Sequence, residues 1–526
     1  DAQESRGLGD VYKRQKDKTF EKSISSRNDS KRFVFFEGPP SANGKPGIHH
    51  VMARALKDIF CRYKTLKGFK VERKAGWDTH GLPIELGVEK QLGISKEDIG
   101  TKISIEDYNK SCKDAVMKYT NIWNDLTRKI GYWVDMENPY VTYKSKYIES
   151  VWWLLKELHE KGLIYKGYSI QPYSPKAGTG LSSHELNQPG TYQDITDTTV
   201  TAQFKCIEKS LPEFLKKYGS VHILAWTTTP WTLPSNTALT VGANIDYVII
   251  KTFNQYTEMA INVILAKNLI EKVLKNNYRE VKQTKELIFS KNNDIPFLIC
   301  EHFKGRDLIN IKYEKLWTDS PLPTQNPENA FRVISGDFVT TDDGTGIVHT
   351  APTFGADDMI AAQNAKPEVP PMLILNKDGD LSPLVDLQGK FIDGLGSISG
   401  KYVKSQYYNE KDVPEKSVDV EITIKLKEEN KAFRVEKYTH SYPNCWRTDK
   451  PILYYPLNSW FVAVTKRKSD LIQYNKKINW KPKSTGTGRF GNWLENANDW
   501  NLSRSRYWGI PLPIWCSEDG LSLIHI

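Results

Sequence analysis

Residues Arg32 to Phe36, RFVFF, form a short continuous apolar run containing a β-branched residue, the pattern of a strand buried within a parallel sheet. Further on, Val51, Met52, Ala55, Leu56, Ile59, Phe60 and Tyr63 recur at helical spacing, and Gly68 follows as a C-terminal stop. Between them EGPPSANGKPGIHH, Glu37 to His50, interrupts both periods with prolines and glycines. The pattern therefore predicts a strand, a loop and a helix N-terminus. From about Gln188 to Glu436 it changes to alternating short strands and turns.

A strand that turns into a helix offers free backbone N–H groups and the positive end of the helix dipole to whatever lies above the loop, which suits a phosphate. Neither common phosphate motif fits: Gly38, Gly44 and Gly47 are wrongly spaced for a dinucleotide fingerprint, and GKP lacks the hydroxyl a P-loop places on magnesium. His49 and His50 at the helix start are placed to donate hydrogen bonds to a phosphate gaining charge. The competing reading is two ordinary histidines at a helix end.

The chain has 526 residues, enough for about three domains. With 39% hydrophobic and 26% charged residues, disorder is excluded as its theme. A net charge of +10 suits a polyanion such as RNA, although scattered lysines fit a plain solvated surface equally. The cysteines lie far apart with no C-x-x-C pair, against a zinc ribbon or disulfide scaffold, and no apolar run reaches the ~20 residues of a membrane span. A cytoplasmic protein is expected. The ends, Asp1 to Gln15 and Leu521 to Ile526, resemble translated library-adapter sequence and are set aside, which makes the rest an internal piece of a longer protein.

GPPSANGKPGIHH followed by GWDTHGLPIE, Gly76 to Glu85, resembles the front half of the class I aminoacyl-tRNA synthetases, and HGLPIE favours their isoleucyl branch. RFGNWLENANDWNLSRSRYWGIPLPIW, Arg489 to Trp515, resembles the second half of the same catalytic domain. The family's signature tetrapeptide, His-Ile-Gly-His, falls on Gly47, Ile48, His49 and His50. The last histidine is kept, the first is replaced by glycine, and a histidine stands third, as in a subset of isoleucyl enzymes. The family's Lys-Met-Ser-Lys-Ser loop has no copy in the chain.

The resemblance implies an α/β fold: a Rossmann-type nucleotide-binding catalytic domain, residues 16–187 and 437–520, interrupted by an inserted, mainly β editing domain at 188–436. It implies that His49 and His50 are catalytic and that Gly38, Pro40, Asn43, Gly44 and Gly47 bind ATP. Pro39, Asp78, Trp460 and Trp500 would hold isoleucine, with the tryptophans as walls and Asp78 on the ammonium; without the resemblance both tryptophans would read as core. In the inserted domain AWTTTPWTLPSNTAL and GTGIVHTAPTFGADD match the editing site. Thr227, Thr228, Thr229 and Thr232 match its threonine-rich strand, His349 lines the pocket and Asp358 takes the ammonium of the misattached amino acid. Read without the resemblance, the threonines are an ordinary strand.

An editing site has a physical motive. One methylene in an apolar pocket is worth about 1–3 kcal/mol, a figure known from isoleucine and valine in these very enzymes. The expected activity is thus ligation of isoleucine to its tRNA through an adenylate, with hydrolysis of misattached valine. The substrates are isoleucine, the isoleucine tRNA and ATP with Mg2+. No zinc, membrane or obligate protein partner is expected. The rivals are an editing-only hydrolase and an inactive tRNA-binding module.

Overall fold

The computed structural model describes residues 2–290, 294–377, 379–516 and 522–523. Asp1, Leu521 and residues 524–526 of the two end segments lie outside them. The rest of the first segment belongs to a helix, Ala2–Lys16, from which Gln15 Nε2 donates to Arg128 O at 2.7 Å. The chain divides into two compact units, one of residues 1–165, 461–500 and 505–526, the other of 166–460 and 501–504.

In the first unit the expected helix forms as α1, Ile48–Leu66, and stops at Gly68, whose φ of 87° only glycine adopts readily. Its faces are the reverse of the expectation. Met52, Leu56, Ile59, Phe60 and Tyr63 are all more than half exposed, whereas Arg54, Cys61 and Thr65 are buried. Arg54 Nη1 donates to Thr127 Oγ1 at 2.6 Å, and its guanidinium lies 5.0 Å from the Trp123 ring centre. Asp58 binds Arg62 at 2.7 Å and the buried Arg73 at 2.6 Å.

The expected strand differs too. Arg32 makes one parallel bridge to Lys70, while Val34 and Phe36 are 67% and 88% exposed. Besides a second isolated parallel bridge, Ile99 to Ile103, the unit pairs β1, Lys74–Trp77, in parallel with β2, Asp135–Val141. An apolar stripe is buried only where another layer packs over it, and among the described residues this face of α1 stays exposed. Gly76 lets these two strands close up: a Cβ there would come within 2.3 Å of the Tyr140 ring. β1 leads into α2, Leu82–Leu92, which starts after Gly81 with proline in its first turn and ends at Gly93.

The second unit is mainly β. Its large sheet contains β3 (Tyr192–Lys205), β4 (Val221–Thr227), β5 (Ala238–Val241), β6 (Asp246–Phe253), β7 (Ala260–Ala266), β8 (Tyr278–Glu280), β9 (Ile295–Lys304), β10 (Arg332–Ser335), β11 (Ile347–Thr350) and β12 (Ala432–Pro443). The order is β8-β9-β6-β7-β4-β11-β5-β10, with β3 branching from β4 to pair with β12. YVII in β6 and VILA in β7 are continuous buried runs, as strands covered on both sides require. Two short helices matter for the site: α3, Ala356–Asn364, and α4, Val418–Glu428.

Candidate functional site

Two groups of predicted residues come together, one in each unit. In the first unit, Trp123 holds the loop before α1: its Nε1 donates to Gly44 O at 2.8 Å, and Tyr119 N donates to Ala42 O at 3.0 Å. Glu37 accepts from Tyr132 at 2.7 Å and pairs with Lys57 at 3.0 Å. Asp78 N donates to Pro40 O at 3.0 Å, which sets the Pro39–Pro40 corner beside the exposed Asp78. Gly38 and Gly44 face open space.

At the start of α1, Gly47 N donates to His50 Nδ1 at 3.0 Å. Burial, then His49 and Arg54, lower the His50 pKa, so the ring is neutral and keeps its proton on Nε2 for another acceptor. The His49 and His50 rings are 3.8 Å apart, and His50 meets Trp123 edge to face at 4.7 Å. A Cβ at Gly47 would lie 2.9 Å from His49 Cε1. The glycine at position 47 therefore leaves room that the His49 imidazole takes up.

Arg506 and Glu85 tie the SRSRYWG stretch to α2. Glu85 Oε2 accepts from Arg506 Nε at 2.6 Å, while Oε1 accepts from the amides of Tyr507 and Trp508 at 3.1 and 2.7 Å. Arg506 also pairs with Glu89, and Trp508 Nε1 donates to Thr79 O, the residue after Asp78, at 2.6 Å. Trp500, in this unit, is 58% exposed. Trp460 belongs to the other unit, where its amide donates to Ser503 Oγ at 2.9 Å.

In the second unit a cavity of about 480 Å³ is lined by Thr227, Thr228, Thr229, Thr232, His349 and Asp358, together with Trp226, Phe338, Phe354 and the Gly344–Gly346 turn. Of the four threonines only Thr227 is in a strand. Pro230 and Pro234 end β4 and turn the chain into the short helix Pro230–Ser235, which aims the hydroxyls inward. Gly344 and Gly346 take φ of 73° and 71°, and a Cβ at 346 would meet Ala266 Cβ at 2.4 Å.

The hydroxyls form a directed chain. Tyr313 donates to Asn236 Oδ1 at 2.7 Å, so the Asn236 amide donates to His349 Nδ1 at 2.8 Å. His349 Nε2 then carries the proton and donates to Thr232 Oγ1 at 3.0 Å, and Thr232 donates to Thr229 O at 2.8 Å. Burial lowers the His349 pKa to about 3. The ring is a fixed neutral donor, with no free nitrogen to act as a base. Asp358, at the start of α3, accepts from Ala351 N at 2.8 Å, and burial raises its pKa to about 6.

The family model for tRNA synthetases class I (I, L, M and V) matches residues 10–525. The chain belongs to that family. Its similarity to isoleucine–tRNA ligases is high: 58% identity to that of Cytophaga hutchinsonii over 96% of this chain, and 57% to that of Bacteroides fragilis over 97%. The Clostridium tetani enzyme is 45% identical over 96%. The chain spans about half the length of the curated relatives it matches, 45% of the first two and 43% of the third. Among solved structures, a ternary complex of a LeuRS from Agrobacterium radiobacter with tRNA and LeuAMS has 15% identity and a TM-score of 0.31, covering 94% of this chain and 48% of its own. The mixed α/β architecture, with a mainly β second unit, is that of a class I synthetase carrying an insertion.

Reading the sequence missed Glu37, Trp123, Glu85, Arg506, Asn236 and Tyr313. Glu85 and Arg506 lie inside motifs quoted above, but their pairing spans more than four hundred residues and has no local signal. Among the described residues no helix is long and apolar enough to cross a membrane.

Proposed function

We propose that the parent enzyme is a cytoplasmic isoleucine–tRNA ligase and that this chain carries most of its activating site and its whole editing pocket. The observation that carries the synthetic half is the start of α1. There His50, with Nδ1 tied to Gly47, offers Nε2–H beside the helix's free amides, while the Pro39–Pro40 corner adjoins Asp78.

In this reading ATP enters with Mg2+ as substrate, its phosphates over Gly38, Pro40, Asn43, Gly44 and Gly47. The isoleucine carboxylate attacks the α-phosphate and pyrophosphate leaves. His49 and His50 donate to the charge that builds on the phosphate, and the helix dipole adds to this. Asp78 holds the ammonium, and Pro39 and Trp500 of the same unit select the side chain. The activated acyl group then passes to the terminal adenosine of the isoleucine tRNA.

The 480 Å³ cavity supports the editing half. Asp358 would hold the ammonium of a valyl ester, and the hydroxyls of Thr227, Thr228, Thr229 and Thr232 would receive the adenosine and the attacking water. His349 holds Thr232 in place. The test is isoleucine-dependent ATP–pyrophosphate exchange and valyl-tRNA deacylation by the chain extended to the relatives' full length. Both activities are expected, and His50→Ala should abolish only the exchange. Deacylation without exchange in the extended enzyme overturns the synthetic half.

A further inference from the structure

The turn that carries the pocket's threonines is held by a buried carboxylate from outside it. All six residues of Pro230–Ser235 are buried. Thr232 N is satisfied by Thr229 O at 3.0 Å, but the amide of Trp231, in the first turn of a short helix, has no carbonyl of its own to reach. It donates to Asp419 Oδ1 at 2.9 Å. The Trp231 ring packs edge to face on Phe354, a wall of the cavity, at 5.0 Å.

Asp419 sits in the first turn of α4 and is 5% exposed. Its second oxygen faces Lys404 Nζ at 4.0 Å, and that ammonium, itself 5% exposed, contacts Asp197 on β3 at 3.0 Å and the face of Tyr442 at 4.7 Å. His440 Nε2 lies 3.3 Å from the same Asp197 oxygen, and Lys437 also lies within electrostatic range of Asp419. The two carboxylates thus share one buried ammonium, with Lys437 as the second cation.

Such a cluster is a poor way to gain stability, because the desolvation of each charge cancels much of the attraction. It is a good way to fix direction. One oxygen of Asp419 accepts from the Trp231 amide, while the other lies 4.0 Å from the ammonium of Lys404, whose hydrogen bond goes to Asp197, so turning the carboxylate either breaks the amide bond or moves the second oxygen off the cation. We propose that Asp419, oriented by Lys404, is a positioning residue for the editing pocket: it holds the Pro230–Ser235 turn in the conformation that presents Thr229 and Thr232 to the aminoacyl ester. This rests on the editing reading above.

The experiment uses the full-length enzyme and reads valyl-tRNA deacylation, isoleucine-dependent exchange, and hydrogen–deuterium exchange of the peptide spanning 226–236. Misplacing reacting groups by an ångström costs up to about hundredfold, so Asp419→Ala should lower the deacylation kcat by about ten- to a hundredfold. Isoleucine-dependent exchange should be unchanged, and peptide 226–236 should exchange faster. Asp419→Asn alone sets an amide N–H against either Lys404 or the Trp231 amide, and should fail similarly. Asp419→Asn with Lys404→Gln restores complementary partners and should recover most of the rate.

Wild-type deacylation by Asp419→Ala, or no recovery in the double variant, overturns the inference. A loss accompanied by faster hydrogen exchange throughout the unit also overturns it in favour of a purely structural role. If the unaltered enzyme does not deacylate, the editing reading fails instead. The hydrogen exchange of 226–236 in Asp419→Ala then still decides whether the carboxylate holds the turn.

Discussion

Asp358 shows what burial does to one carboxylate. Its ordinary pKa is near 3.8, and desolvation raises it to about 6 with only the Ala351 amide opposing. The folded state therefore binds a proton more readily than the unfolded one between these values. The stability that proton brings is complete below about pH 3.8 and is lost as pH rises through about 6. Asp358→Asn keeps an acceptor for Ala351 N and removes the buried charge, so at pH 8 it should be the more stable protein by about 1–3 kcal/mol. The gap should close near pH 4, as denaturant titrations at the two pH values would read. Deacylation should move the other way, absent in the variant and falling below about pH 6 in the parent, since only the carboxylate can hold an ammonium. A variant no more stable than the parent at pH 8 would mean that the site is wetter than the structure shows. The type of residue at 358 was legible from GADD, but the raised pKa was not, because it comes from the packing around the start of α3.

Elements were legible in proportion to how local their causes are. The helix at 48–66 and its stop at Gly68 follow from spacing and one left-handed glycine, whereas the face α1 buries depends on partners far along the chain. The threonine stretch was matched to a strand, yet Pro230 and Pro234 make most of it a turn, a reading the two prolines themselves could have supported. Least visible was the tie between the SRSRYWG loop and α2. Glu85 there satisfies a guanidinium and two backbone amides while being 1% exposed. Arg506→Lys keeps the charge but loses the planar fork, and cannot serve Glu85 and Glu89 with the same geometry. It should raise the KM for isoleucine in pyrophosphate exchange by about tenfold, because Trp508 then no longer fixes the Thr79 carbonyl beside Asp78, while valyl-tRNA deacylation stays at its parent rate. An unchanged KM would show that the loop is held by its tryptophan alone.

Across the whole molecule the two units differ in how their cores are made. The second has one large continuous apolar cluster that runs from Tyr173 through the β4, β6 and β7 strands to Tyr455, nearly all of it inaccessible, beside a small one around Ile334 and Ala362. The first is divided into small clusters around Ile84–Val116 and around Trp77–Trp123, with arginine–aromatic contacts such as Arg54 on Trp123 and Arg62 on Trp133 beside them. Apolar burial stabilises by about 25 cal/mol per Å², so the second unit holds the larger share of the folding free energy. The first also leaves Val34, Phe36 and the outer face of α1 in water, where they contribute nothing. Unfolding of this chain should then occur in two steps, with segments 1–165 and 461–500 losing amide protection at lower urea than 166–460. Hydrogen exchange read by mass spectrometry along a urea series separates the two sets of peptides. At urea concentrations between the steps, proteolysis should leave a core bounded near Lys166 and Trp460. A single transition with all peptides exchanging together would show that the small clusters of the first unit are as cooperative as the large sheet. In that case its arginine–aromatic contacts would be worth more than the roughly 0.5–2 kcal/mol that such a contact usually contributes.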